Sequence, residues 1–251
     1  MASTDSAGVP WQGRSFEPNS HTSDDGSAPE RLIEALRRFR AKEMGEADVV
    51  AALREARLLI PLVAALGESG TNEHGVTIDK SQELSIVTVA GPDGRTVMPV
   101  FSSVATMSAW NPKARPVPAD AVRVAIAAAS EQTDVVILDP TTPTEFAIRR
   151  PALWAIAQGQ PWKPSYLDED VLGAFIAAAE PENSVVAVQL APGDPDARLI
   201  GAELLVHLSL IPGLDRVALA QLMERLQQRW SEDTLIATRV DSLRVQLVAT
   251  K

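Results

Sequence analysis

The segment "LSIVTVAGPDGRTVMPVFS", Leu84 to Ser102, constrains this chain more than any other. Two runs rich in β-branched residues flank "GPDG", a turn by composition, and read as an antiparallel hairpin. A second hairpin follows, with "DVVILDP" and "EFAIRR" on either side of "TTPT". Hairpins exclude a doubly wound, all-parallel sheet. Together with the helices around them they predict an α+β fold of mixed and antiparallel sheets.

The helices are read from spacing. In "PERLIEALRRFRAKE" the residues Leu32, Ile33, Leu36 and Phe39 form one apolar stripe, and a shorter helix follows in "EADVVAALREA". "RLLIPLVAAL" reads as a strand, with Pro61 pointing to an edge or a bulge. "SVATMSAW" reads as a helix capped by Ser102 or Ser103 and stopped at Asn111 and Pro112; "ADAVRVAIAAASE" is another. Pro151 suits the first position of "PALWAIAQG". Beyond "GQPWKPSYLDED" come a helix, "VLGAFIAAAE", and strands in "NSVVAVQLAPG" and "ARLIGAELLVHLSLI". The amphipathic "LDRVALAQLMERLQQRW" follows, and "TLIATRV" and "LRVQLVA" read as closing strands. The layout is a disordered tail over 1–29, an α+β domain over 30–160, a linker over 161–169 and a smaller α+β domain over 170–251. One continuous sheet or two would satisfy this pattern.

Charge and composition narrow the function. The net charge of −10 repels phosphate backbones, so nucleic acid is not expected as a partner. The basic cluster Arg31 to Lys42 reads as a solvated helix face. There is no cysteine, which removes disulfides, thiolate zinc sites and thiol catalysis, and suits a reducing cytoplasm. No apolar run nears the roughly 20 residues of a membrane span, and the start lacks a secretory pattern. A cytoplasmic location away from membranes is the expectation.

Histidine offers little chemistry. His21 falls in the tail and His74 in the polar loop "TNEHG". His207 shares a strand face with Glu203 and Ser209, but Glu203 and His207 would lie roughly 13 Å apart along the strand, too far to pair. Neither nucleotide-binding glycine pattern occurs. Asp139 in "LDPTT" reads as the start of a turn. No catalytic residue, metal-ligand set or cofactor is expected. The remaining candidate is the elbow of "VFSSVATM", where a serine-capped helix start aims backbone N–H groups forward and can hold an anion. Ser102, Ser103, Lys80 and Trp110 are its candidate ligand-binding residues.

Taken in order, "REARLLIPLVA", "DKSQELSIVTVAGPDGRTVMPVFSSVATMSAWNPKARPVP", "VVILDP" and "RRPALWAIAQGQPW" resemble SseB-like proteins of the actinobacterial type. The resemblance runs from Glu30 to Trp162, and the part after Asp168 is similar to the second domain that commonly follows. It implies the α+β fold and the two-part layout. The family has no established catalytic residues, so none is carried over. The expected function is a non-enzymatic binding or regulatory module whose partner is a protein or a small metabolite. A small-molecule sensor or enzyme using the elbow is the alternative, and a homo-oligomeric scaffold pairing through the edge of "LLVHLSLI" is the third reading.

Overall fold

The structure is a computed structural model that describes residues 24–64, 70–71, 77–78 and 84–249. Trp11, Phe16, His21, His74 and Lys80 lie outside the described residues. Of the expected tail, the stretch from Asp24 to Pro29 is ordered. Arg57 donates to the Asp24 carboxylate at 2.8 Å, and the Gly26 carbonyl accepts from the Val104 amide at 2.9 Å. Gly26 has φ +78, and a Cβ there would stand 2.7 Å from the Val104 side chain, so glycine is required.

The chain runs α1 (Glu30–Arg40), α2 (Glu46–Arg54), β1 (Arg57–Ala64), β2 (Gly70–Thr71), β3 (Thr77–Ile78), β4 (Leu84–Ile86), β5 (Val89–Ala90) and β6 (Thr96–Val100). Then come α3 (Val104–Trp110), β7 (Arg115–Asp120), α4 (Ala121–Ser130), β8 (Val136–Leu138), β9 (Phe146–Ile148) and α5 (Arg150–Ala157). The order of sheet strands is β4-β1-β7 and β5-β6-β8-β9, with Leu59 and Phe101 bridging the two sheets. β6 and β8 are parallel and the other pairs in these two sheets antiparallel. The α+β class with mixed and antiparallel sheets holds. Leu32, Leu36 and Phe39 are buried as the stripe requires, and they share one core with Leu53, Val100, Leu138 and Phe146. The expected first hairpin is split: β5 pairs with β6, while β4 turns away to pair with β1.

Register explains how prolines enter two paired strands. β7 forms across "RPVPAD", where prolines suggest a loop, and β1 is a middle strand although it carries Pro61. Pro61 faces Pro116 and Leu59 faces Pro118. Leu59 turns its N–H and C=O away from β7 and exchanges both hydrogen bonds with Phe101, at 2.8 and 2.9 Å. The prolines therefore occupy pairs where β1 and β7 ask for no N–H, and β7 is an edge strand that tolerates them.

A 3₁₀ turn (Ser165–Leu167) leads to α6 (Glu169–Ala179), β10 (Val185–Pro192), β11 (Leu204–Leu210), α7 (Arg216–Glu232), α8 (Thr234–Arg239) and β12 (Leu243–Ala249). β11 is the middle strand, antiparallel to β10 and parallel to β12. Both edges of "LLVHLSLI" are thus paired, and strand addition would have to use β10 or β12 instead. "TLIATRV" forms a helix rather than a strand: the Asp233 carboxylate accepts from the Leu235 and Ile236 amides, and Ile236 is buried. Leu204, Val206 and Leu208 face a second core containing Phe175, Leu222, Leu226 and Trp230. His207 lies on the opposite face between Gln189 and Gln246. Among the described residues no helix is long and apolar enough to cross a membrane.

Between β10 and β11 the chain leaves its own unit. Ala197 (φ 47) and Leu199 (φ 60) adopt left-handed backbone, and the Ala197 carbonyl accepts from the Ala147 amide at 2.7 Å. Leu199 is fully buried with Val97, Val135, Ile137 and Ala147. β11 consequently starts only at Leu204, later than its apolar pattern suggests.

Candidate functional site

The Ser102 elbow forms where the parallel strands β6 and β8 end side by side, with Val100 opposite Leu138. Ser103 caps α3 by accepting from the Thr106 amide at 3.1 Å. An anion does stand in front of this elbow, and it is the chain's own Asp139. Its carboxylate accepts from the Ser102 amide at 2.8 Å and the Ser102 hydroxyl at 2.6 Å. The hydroxyls of Thr106 and Thr144 each lie 3.0 Å from it. Asp139 is fully buried, and φ 46 turns it inward from the strand end. Trp110 packs on Phe101 with ring centroids 5.3 Å apart, beside Leu59 and Met107. Ser102, Ser103 and Trp110 therefore do assemble, and both donors of Ser102 are taken by Asp139.

A cleft of about 530 Å³ opens elsewhere, between α5, the connecting segment and α8. Trp154, at 42% exposure, and Trp162 line it, together with Gln158, Gln160, Lys163 and Arg239. The connecting segment is a packed strap rather than a loose linker. Trp162 rests on the first core, and fully buried Ser165 donates to Glu203 at 2.7 Å. The Arg150 guanidinium lies 5.0 Å over the Trp154 ring and donates to the Val240 carbonyl at 2.7 Å. Arg239 is neutralised by Asp168 at 2.8 Å and Asp170 at 3.0 Å. Lys163 and the indole N–H groups of Trp154 and Trp162 have no partner among the described residues. In the sequence this segment resembles a linker, with its prolines and a lone Trp. The available signal was the two tryptophans, only eight positions apart, one on a short helix and one among prolines.

The sequence over residues 32–155, from α1 into α5, matches the family model of the SseB protein N-terminal domain. Residues 32–155 thus carry an SseB N-terminal domain, which supports an SseB-like family assignment. No curated protein and no solved structure is found to match it.

The SseB domain meets the C-terminal unit in a buried charge cluster. Arg149, at the start of α5, donates to Asp194 at 2.7 Å, to Asp241 at 3.1 Å and to the Gly201 carbonyl at 2.8 Å. Arg95 joins from the turn after β5, bidentate to Asp241 at 3.0 and 2.9 Å. Glu203 is buried here, not on a wetted strand face, and accepts from Ser165 and from the Asp241 amide at 2.6 Å. Burial pushes the Glu203 carboxyl up. Burial, reinforced by Glu203, pushes half-buried Glu46 up to about 7. Burial also opposes ionisation of Asp241, yet Arg95 and Arg149 hold it below its ordinary value. One oxygen of Asp194 is buried without a hydrogen-bond partner among the described residues. Among the described residues no group of three or more acidic or histidine side chains is arranged to hold a metal ion.

Proposed function

We propose that this protein is a cytoplasmic binding module of regulatory type, with its partner seated in the cleft between α5, the strap and α8. One observation carries the reading. At the meeting of the SseB domain and the C-terminal unit, Trp154, Trp162 and Lys163, whose N–H groups and ammonium have no partner among the described residues, line a cleft of about 530 Å³. Clefts of roughly 300–1,000 Å³ with an apolar lining and a few converging polar groups are where proteins hold ligands. The elbow supports such a role less well, because an external anion there would first have to displace Asp139. A cysteine-free, acidic chain suits the cytoplasm.

A thermal-shift screen of the full chain against amino acids, phosphorylated metabolites, nucleotides and short peptides tests the reading. A compound at 100 times its Kd stabilises by about 2.7 kcal/mol, a shift of several degrees. Trp154→Ala removes a half-exposed side chain, so its own Tm should stay near wild type while the ligand shift disappears. A ligand shift that survives intact in Trp154→Ala overturns the assignment of the cleft.

A further inference from the structure

We infer that the cleft takes an extended, proline-containing segment of another protein that also carries acidic residues. This rests on the cleft being the binding site and names its partner. The surface does not end at Trp154. On the other side of that ring, α4 and α5 enclose a second hollow of about 380 Å³, with Ile126 56% exposed on its rim. One half-exposed indole thus forms a ridge between two open hollows. Small metabolites favour concave sites that cover most of their surface, whereas a ridge with a hollow on each side suits a chain that crosses it.

Three features select the chemistry of that chain. A polyproline II segment makes no internal hydrogen bonds, so its carbonyls need outside donors while its rings pack on aromatic faces. The surface offers both. Trp154 and Trp162 provide ring faces, and their N–H groups and the Gln158 carboxamide have no hydrogen-bond partner among the described residues. The third feature is charge. Lys163 and Arg150 have no carboxylate partner among the described residues, while Arg239 already has two. Asp168 is spent on Arg239, and among the residues lining the two hollows Asp134 is then the one carboxylate without a cationic partner among the described residues. On a chain of net charge −10, two such cations, Lys163 on the first hollow and Arg150 on the second, select carboxylates in the partner.

The test is selection of a phage-displayed random peptide library on the full chain, followed by fluorescence polarisation with labelled winners. The expected winners contain proline together with Asp or Glu. Trp154→Ala should weaken them at least tenfold, about 1.4 kcal/mol. Trp162→Phe keeps an aromatic face, removes the N–H donor and should weaken them severalfold. Lys163→Glu should weaken acidic winners more than their Asn/Gln counterparts. Winners lacking proline and acid, or no winners at all, overturn the peptide class. If a metabolite meanwhile binds in a Trp154-dependent way, the cleft stands and only its partner is reassigned. Winners whose affinity is unchanged in both Trp154→Ala and Lys163→Glu overturn the cleft as well.

Discussion

At the Ser102 elbow one carboxylate meets four neutral donors, whereas at the Arg149 junction Glu46, Asp194, Glu203 and Asp241 gather around two guanidiniums. The elbow lies within the SseB domain, and its anion is solvated by short-range hydroxyls and one amide. The junction ties that domain to the C-terminal unit and carries more negative than positive charge. The junction is where pH bears on stability. A cluster with surplus carboxylates answers to pH, because one member is held partly protonated.

Breaking the junction should cost most. Arg149→Met leaves Asp194 and Asp241 facing each other with much of their compensation gone, and unfolding free energy should fall by about 3–5 kcal/mol in urea titrations. At the elbow, Asp139→Asn keeps the shape and a residue that accepts positive φ, but removes the charge and puts an NH₂ against donors. A loss of about 2 kcal/mol is expected. Thr106→Val, nearly isosteric, deletes one donor to the same carboxylate and should cost about 1 kcal/mol. If Arg149→Met costs no more than Thr106→Val, the contrast between the two sites fails.

The pH dependence of stability is the most specific prediction. The Glu46 carboxyl is raised from 4.5 to about 7, so between these values the folded state binds the proton more tightly than the unfolded chain. Stability should therefore fall as pH rises through that window and level off above about 7. Glu203 is raised too and acts in the same direction. Glu46→Gln should flatten the slope and gain on the wild type above pH 7. Melting curves of both proteins across pH 4–8 check this. An unchanged slope would mean that Glu46 takes no part in it.

Much of the fold was legible because short-range rules governed it. The apolar stripe of α1, the serine cap of α3 at Ser102 or Ser103 and the "GPDG" turn all depend on neighbours within four or five positions. β7 was not legible, since whether prolines are tolerated depends on which side of the strand is paired. α8 was missed because Asp233 capping outweighs the β-branched residues that follow it. At the elbow, Ser102 and Ser103 could be picked out, but their anion is supplied from 37 positions away by a parallel strand end. The tryptophan cleft was missed because a strap that packs and a linker that does not share the same proline-rich composition.

Local sequence determined where helices start, which faces are apolar, that the sheets are mixed and that the chain is acidic. Tertiary structure alone decided which charges meet. Arg149 finds Asp194 and Asp241, Asp139 finds Ser102, and Trp154 finds Trp162 across a cleft. The reason is range: caps and periodic stripes act over a turn or two of chain. Burial of charge and the opening of a cleft depend on contacts between segments that only the folded chain brings together.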